Sequence, residues 1–326
     1  MREEHHTPAT VSATLTDRVV IAAAVRTPLG SLLGALSPLA AHQLGARALR
    51  AAWQRAGLSP ETIDEVLMGC VLPAGQGQAP ARQAARAAGL PDHVGATTLN
   101  KVCGSGMKAV MLGHDMLLAG SSEIVAAGGM ESMSNAPHLV RQGRAGVRMG
   151  DIRLLDHMML DGLEDAYEPG RPMGDFGEVA AQTYQFTRAD QDAYATETLH
   201  RARAAITNGD FRAEIEPVPV PAKGGAILVA DDEHPFKVSP EKIPKLKPAF
   251  RADGTITAAS ASVNADGAAC LILTRRSIAQ ARHGGRGLIA QLRRRSNSET
   301  GACRCALPSR AGWAPNRWRR RCRLRG

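Results

Sequence analysis

One stretch, residues 97–129, constrains the fold more than any other part of the chain. It reads TTLNKVCGSGMKAVMLGHDMLLAGSSEIVAAGG and joins a short extended run, a turn, a helix-length segment and a second apolar run. A strand, a helix and a further strand in this order are typical of a βαβ unit, whose two strands lie parallel in one sheet. The stretch therefore predicts an α/β fold.

A cysteine occupies the turn of this unit. Cys103 lies where the first strand gives way to the helix. A helix N-terminus offers unpaired N–H groups and a positive dipole, which favour a thiolate over a thiol. Gly104 and Gly106 are expected to allow a sharp turn and to leave the sulfur uncovered. The position indicates a nucleophile; the alternative is a small buried hydrophobic residue, which is the commoner state of a cysteine.

The same alternation extends towards the N-terminus. Apolar runs at 19–25 and 66–70 predict buried strands, and apolar residues at helical spacing over 38–56 and 79–88 predict the helices between them. This order predicts a sheet of parallel strands with helices on both faces. Ligands bind such sheets beyond the carboxyl ends of the strands, and the cysteine follows one of these ends.

The chain after this stretch is less regular. Helices are predicted at 175–184 and 187–206, the second opened by a capping box, and an edge strand at 215–220 is interrupted by prolines. Residues 223–247 are rich in proline and lysine and are predicted to form a loop. Strand character returns in the segments TITAASASV and AACLIL. The intervening part is therefore predicted to be an insertion into the sheet domain.

The net charge of +9 comes from one end of the chain. Residues 293–326 carry eleven arginines and one acidic residue, Glu299, so the remaining residues sum to −1. The charge of the folded part therefore indicates neither a nucleic-acid partner nor a membrane partner. No apolar run approaches the ~20 residues of a membrane span. The polar N-terminus lacks the apolar segment of a secretory signal, and we expect a cytoplasmic protein.

The cysteines follow the same division. Cys70, Cys103 and Cys270 lie in strand-like or strand-to-helix contexts, and the other three lie in the arginine-rich end. Their spacing indicates neither a disulfide framework nor a zinc site. We expect reduced thiols and no metal.

Three longer segments resemble one known family. NKVCGSGMKAV, AAGGMESMSNAPH and LKPAFRADGTITAASASVNADGAACLILT resemble the thiolases, acyl-CoA acetyltransferases that join or cleave β-ketoacyl-CoA, and the resemblance runs from about residue 19 to about residue 292. It implies a layered βαβ fold and an acyl-thioester intermediate on Cys103. It also implies acetyl-CoA and acyl-CoA as substrates, no metal or organic cofactor, and a homodimer or homotetramer.

The resemblance implies further site residues as well. Ser262 would touch the pantetheine arm of coenzyme A. Met173 and Leu163 would line the acyl pocket, although residues of these types are more often plain core. These three positions complete the substrate-binding residues that the sequence predicts.

A domain plan follows from the same resemblance. Residues 19–129 and 248–275 would form the first of two βαβ halves, 130–247 a loop domain that covers the acyl-CoA, 1–18 an N-terminal extension, and 276–326 a remnant with the arginine-rich tail. The tail composition fits a nucleic-acid-binding arm, a disordered end, or translation out of frame after about residue 292. We favour the last of these interpretations.

The motifs of a second thiolase half do not occur in this sequence. Thiolases have a Gly-His-Pro motif whose histidine activates the cysteine, an Asn-Glu-Ala-Phe motif whose asparagine holds a water, and a Cys-x-Gly-Gly-Gly motif whose cysteine acts as acid and base; this chain has none of them. A stabilised thiolate can attack a thioester, but condensation also needs a base that deprotonates carbon. We therefore expect a thiolase-type acyltransferase with little or no turnover. The alternative is a non-catalytic acyl-CoA-binding or interaction protein.

Overall fold

The computed structural model describes residues 17–283. Its strands are β1 Val19–Arg26, β2 Gly30–Ser31, β3 Glu65–Gly69, β4 Gly95–Leu99, β5 Ile124–Ser132, β6 His138–Leu139, β7 Leu155–Asp156, β8 Val218–Ala222, β9 Gly225–Val229 and β10 Ala265–Arg275. Its α-helices are α1 Ala41–Arg55, α2 Pro80–Ala87, α3 Ser105–Ala119, α4 Met173–Tyr184, α5 Arg188–Asn208 and α6 Arg276–His283. Short 3₁₀ turns lie at 60–62, 133–135, 234–236 and 240–245, and a π turn lies at Met159–Leu163.

The central element is a six-stranded sheet of order β1-β10-β5-β3-β4, with β2 paired to one end of β10. Strands β3, β4 and β5 lie parallel, whereas β10 runs antiparallel to both β1 and β5. The predicted α/β class, with helices alternating with parallel strands, is confirmed. The late strand β10 lies between two early ones, so the chain returns to the first sheet after a long excursion.

Helices cover the two faces of this sheet. On one face α1 and α2 pack in a core whose fully buried side chains include Leu44, Leu49 and Met68. On the other face α3 supplies Ala109 and Leu117 to a second, smaller core. The residues of β5 alternate between these two cores, which explains why its sequence is a continuous apolar run rather than an alternating one.

One side of α3 carries apolar residues that no described residue covers. Met107, Met111 and Leu118 are all exposed and recur at helical spacing, whereas Ala109 and Leu117 face the sheet. The helix is therefore apolar on both sides, although only the side that faces the sheet is packed.

The segment between β5 and β10 forms small units of its own. Strands β6 and β7 pair with each other, and so do β8 and β9. Helix α5 begins with the predicted capping box, in which the Thr187 hydroxyl accepts from the Asp190 N–H at 3.1 Å and the Asp190 carboxylate accepts from the Thr187 N–H at 3.0 Å. Both helices predicted in this segment are confirmed.

One loop prediction and one strand prediction in this segment are wrong. The predicted loop 223–247 contains a strand, β9, because its residues pair with the prolines and valines of β8. The predicted strand TITAASASV contains turns and a single bridge at Thr257. A buried carboxylate explains the second difference, since Glu178 accepts the N–H groups of Thr255 and Ile256 that a neighbouring strand would otherwise use.

Ion pairs join this segment to the end of β1. The Arg26 guanidinium donates to both oxygens of Asp232, at 2.7 and 3.0 Å, and to Glu214 at 2.8 Å. Asp232 also accepts from the Leu29 N–H, and Glu233 accepts from the N–H groups of the loop that follows β1. Bidentate contacts of this kind fix both position and orientation.

The compact unit that contains the sheet ends at Ala279. The arginine-rich tail and its cysteines, and most of the predicted N-terminal extension, lie outside the described residues. Within residues 17–283, no helix combines the length and the apolar character needed to cross a membrane.

Candidate active site

A cavity of about 330 Å³ lies at the carboxyl ends of β1, β3 and β5. Cys103 lines it together with Arg26, Val71 and Glu131, and the start of α3 closes one side. The sequence predicted a ligand site beyond the strand ends, and this cavity has that position. Small residues at the ends of the strands, such as Gly69 and Gly129, leave the space open.

The turn that carries Cys103 is made by an unexpected residue. Val102 has φ +47°, a left-handed conformation that β-branched residues rarely adopt, and its side chain is 48% exposed. Gly104 has φ −88°, an ordinary value, and a Cβ at Gly104 or Gly106 would meet no atom closer than 3.4 Å. The expectation that these two glycines make the turn is therefore wrong, because the valine before the cysteine makes it.

Hydrogen bonds around the turn hold this conformation. The Asn100 side-chain oxygen accepts from the Val102 N–H at 2.8 Å. The Ser105 hydroxyl accepts from the Lys101 N–H at 2.8 Å and donates to the Val102 carbonyl at 2.6 Å. Cys103 thus lies between a turn that is held by side-chain hydrogen bonds and the first turn of α3.

A close approach of backbones places α3 against β3. A Cβ on Gly69 would lie 2.6 Å from the Ser105 Cβ and 2.7 Å from its carbonyl carbon, so only glycine fits at the end of this strand. The glycine brings the start of α3 to the edge of the sheet. Cys103 is therefore held over the strand ends rather than to one side of them.

A carboxylate forms the opposite wall of the cavity. Glu131 accepts from the Val71 N–H at 2.8 Å and from the Leu72 N–H at 3.1 Å, and the Cys70 sulfur lies 3.7 Å from it. Burial raises the pKa of Glu131 above its usual value, and the two N–H donors oppose this shift. No role for Glu131 was predicted from the sequence, although an acidic residue near the end of a mostly apolar strand is a visible signal.

The three cysteines of the described chain differ in access. Cys70 and Cys270 are buried, and burial raises the pKa of each thiol to about 12, with Glu131 adding to the shift for Cys70. Cys103 is exposed and lines the cavity. Since the thiolate is the reactive form and needs access, Cys103 is the thiol of this region that is placed to react.

The predicted substrate-binding residues lie apart from this cavity. Ser262 is exposed in the turn before β10, Met173 is the first residue of α4, and Leu163 ends the π turn. None of the three is among the residues that line the cavity. Their roles stay predictions.

The described part of the chain contains no cluster of metal-binding side chains. Among residues 17–283 no group of three histidine, cysteine, aspartate or glutamate side chains is arranged to hold an ion. The cavity itself is lined by one thiol, one carboxylate and one guanidinium, and the last is paired with Asp232.

The fold and the cavity together define an α/β protein with an exposed cysteine between a strand and a helix at the carboxyl edge of its sheet. A family model described as thiolase, N-terminal domain, matches residues 19–277. An acetyl-CoA acetyltransferase of Schizosaccharomyces pombe is 45% identical over 257 residues, which cover 78% of this chain and 65% of that protein. One of Cupriavidus necator is 44% identical over 309 residues, which cover 91% of this chain and 78% of that protein.

A solved structure agrees with these relatives. The crystal structure of the Acat5 thiolase from Ascaris suum, in complex with coenzyme A, matches with a TM-score of 0.76 and 41% identity over 81% of this chain and 67% of that one. The chain belongs to the thiolase family, and the predicted thiolase-like fold is confirmed. It spans less than two thirds of the length of the S. pombe relative.

Proposed function

We propose that the protein is an acetyl-CoA C-acetyltransferase that works through an acyl-Cys103 intermediate. The Cys103 thiolate attacks the carbonyl carbon of an acyl-CoA thioester, and coenzyme A leaves as its thiolate and takes up a proton. In the second step the deprotonated methyl carbon of acetyl-CoA attacks the acyl-cysteine, which releases β-ketoacyl-CoA and regenerates the thiolate. The reverse direction is thiolysis.

The single observation that carries this proposal is the placement of Cys103. It is exposed, it lines a cavity at the carboxyl edge of the sheet, and it precedes the N-terminus of α3. The other two described thiols are buried and have raised pKa values. The names of the relatives supply the reaction class, and the coenzyme A in the Ascaris suum thiolase supplies the class of ligand.

Substrate binding is part of the same proposal. We assign Ser262 to the pantetheine arm and Met173 and Leu163 to the acyl pocket, with residues 130–247 as the segment that covers the acyl-CoA. The first-half domain, 19–129 with 248–275, would then carry the nucleophile. These assignments rest on the resemblance to thiolases, and substitution of Ser262 by alanine should weaken coenzyme A binding in calorimetry.

The location and assembly of the protein are proposed from the same likeness. We expect a homodimer or homotetramer without a nucleic-acid or membrane partner. A cytoplasmic location agrees with the free thiols Cys70, Cys103 and Cys270, since reducing compartments keep cysteines unpaired. Light scattering and cell fractionation test these two points.

The two chemical steps make different demands on the chain. Acylation needs an accessible thiolate, whereas condensation needs a base that removes a proton from carbon. The Gly-His-Pro, Asn-Glu-Ala-Phe and Cys-x-Gly-Gly-Gly motifs do not occur in the 326 residues. We therefore expect the chain alone to become acylated and to complete the second step weakly or not at all.

Intact-protein mass spectrometry after incubation with acetyl-CoA tests the first step. We expect one acetyl group per chain, mapped to Cys103 by peptide analysis, with one equivalent of coenzyme A released. Cys103→Ser should abolish the adduct and Cys270→Ala, at a buried thiol, should keep it. Coenzyme A binding without any adduct would favour the non-catalytic acyl-CoA-binding alternative instead.

A thiolysis assay with acetoacetyl-CoA tests the second expectation. Little or no turnover is the expected result for the purified chain. A rate typical of thiolases that disappears in Cys103→Ser would contradict it and would leave the assignment of the nucleophile intact.

A further inference from the structure

The conformation of the residue before the nucleophile needs an explanation. A valine in the left-handed region is strained, and such strain persists only where the surrounding structure holds it. Val102 is half exposed, so packing alone does not hold it. The hydrogen bonds that reach its backbone must therefore supply the restraint.

Asn100 is the first of these restraints, and its side chain makes two bonds. Its oxygen accepts from the Val102 N–H at 2.8 Å, and its amide donates to the Val71 carbonyl at 3.4 Å. The first bond closes the turn on itself. The second ties the turn to the loop that follows β3, which is distant in sequence.

Glu131 holds that loop from the other side. Its two carboxylate oxygens accept from the N–H groups of Val71 and Leu72. The peptide groups of Val71 are therefore bonded on both sides, the N–H to the end of β5 and the carbonyl to the turn that carries the nucleophile. Both Val71 and Glu131 line the cavity.

We propose that Asn100 and Glu131 are positioning residues that act in series, through the backbone of Val71, to hold Cys103 in line with a bound thioester. This bridge runs from β5 to Val71, from Val71 to Asn100 and from Asn100 to Val102. The inference rests on the proposed acylation of Cys103. The bridge acts beside the Ser105 hydroxyl, which also bonds the Lys101 N–H and the Val102 carbonyl, so a break at either link of the bridge loosens the turn.

Two substitutions break the bridge at different links with little change of shape. Asn100→Asp keeps the oxygen that accepts from Val102 but replaces the donor to Val71 with an acceptor that repels its carbonyl. Glu131→Gln keeps one acceptor and points an amide N–H at a backbone N–H. Glu65→Gln is the matched control, since Glu65 lies at the opposite end of β3 and accepts from the Thr97 hydroxyl.

The first readout is the rate of Cys103 acylation by acetyl-CoA, compared with its alkylation by iodoacetamide. We expect each bridge variant to slow acylation on the order of tenfold or more, since misplacement of a reacting group is costly. Alkylation by the small, freely diffusing reagent should change about twofold or less, because it needs access rather than alignment. The control should leave both rates unchanged.

A double-mutant cycle then tests whether Asn100 and Glu131 act in series through Val71 or affect acylation independently of each other. Asn100→Asp combined with Glu131→Gln should be about as slow as the slower single variant, because the second break has nothing left to release. Losses that multiply, or acylation at the wild-type rate in either single variant, would overturn the proposal.

Hydrogen exchange provides a readout that does not depend on acylation. Glu131→Gln should reduce protection in the peptide that contains Val102, although Glu131 makes no hydrogen bond to that residue. Unchanged protection there would refute the bridge even in a chain that acetyl-CoA never acylates. If the proposed function fails instead, the wild-type chain should form no acetyl adduct on Cys103, while the peptide that contains Val102 should still be protected from hydrogen exchange.

Discussion

The sheet that carries Cys103 and the segment inserted between β5 and β10 are stabilised in different ways. The two cores against the sheet consist of apolar side chains from α1, α2, α3 and the strands. The inserted segment adds Val218 and Val220 of β8 to the larger core. Carboxylates fix other parts of it, with Glu178 bound to Thr255 and Ile256 and Asp175 paired with Arg171 and Arg251. Burial therefore stabilises the first region, whereas charged hydrogen bonds position α4 and residues 251–257 in the second.

The pKa values of carboxylates in the two regions are also shifted in opposite directions. Burial raises the pKa of Glu131 at the edge of the sheet. In the inserted segment the Arg251 guanidinium holds the pKa of Asp175 down to about 2, and the N–H groups of Thr255 and Ile256 outweigh burial to lower the pKa of Glu178. Acid should therefore loosen the inserted segment before it weakens the apolar cores.

The largest expected effect is the loss of a core side chain. Leu49 in α1 is 0% exposed, and Leu49→Ala should cost about 2–5 kcal/mol of unfolding free energy, because it removes apolar contacts and leaves a cavity. Leu228 in β9 is 64% exposed, and Leu228→Ala should change the unfolding free energy by about 0.5 kcal/mol or less. Urea denaturation of both variants measures the difference, and equal losses would contradict the expectation that burial sets the cost.

The next effect is the removal of a buried carboxylate in the inserted segment. Glu178 is 2% exposed, and Glu178→Ala should leave the N–H groups of Thr255 and Ile256 unpaired, at about 1–3 kcal/mol for each group that stays buried. Because the turn can open to water instead, the loss should appear as local protease sensitivity at 251–257. Glu197→Ala, which removes an exposed partner of Arg201, is the control and should leave cleavage unchanged. Uniform destabilisation of the sheet would contradict this expectation.

These contacts also explain which parts of the fold could be predicted from sequence. Strands and helices of the sheet follow from apolar runs and helical spacing, since each depends on neighbouring residues. The segment TITAASASV has the same local character as a strand, but Glu178 takes the N–H groups that a strand would use, and this carboxylate lies 77 residues away in the chain. A pairing over that distance leaves no local signal.

The candidate site also has a part that the local sequence predicts and a part that it does not. The position of Cys103 between a strand and a helix could be read from the residues around it. The left-handed Val102 could not, because glycines stand two and four residues later and are the usual residues for such a turn. The contacts of Glu131 with Val71 and Leu72 join residues 60 and 59 positions apart, and only the folded sheet brings them together.

As the pH falls, the inserted segment should lose stability before the sheet does. The folded pKa of Asp175 is lowered, so its contribution to stability is present above its unfolded pKa near 4 and is lost as the pH falls towards about 2. Glu178 and Glu233 have lowered pKa values and add to the same trend. The raised pKa of Glu131 has the opposite sign, since its contribution is complete below its unfolded pKa and is lost as the pH rises.

Pulsed hydrogen exchange between pH 5 and pH 2 measures this order. Peptides from α4 and from residues 251–257 should lose protection first, and β3, β5 and β10 should keep theirs. Asp175→Asn should remove part of the pH dependence in α4 only. Simultaneous loss of protection in both regions would show that the two are one cooperative unit under acid.

The smallest expected effect concerns the backbone at the nucleophile. Val102→Gly should stabilise the folded chain by about 0.5–1 kcal/mol, because relief of the left-handed conformation exceeds the entropy that glycine loses on folding. The same change should slow acylation of Cys103, since glycine has a wider range of accessible backbone angles than valine, and the hydrogen bonds from Asn100 and Ser105 to this backbone restrain it less tightly. Leu33→Gly is the matched control, because Leu33 also has a positive φ, +54°, and lies outside the cavity lining. It should stabilise the chain to a similar extent in urea denaturation and leave the acylation rate unchanged, so a faster rate in Val102→Gly would mean that the strained turn hinders attack instead of aligning it.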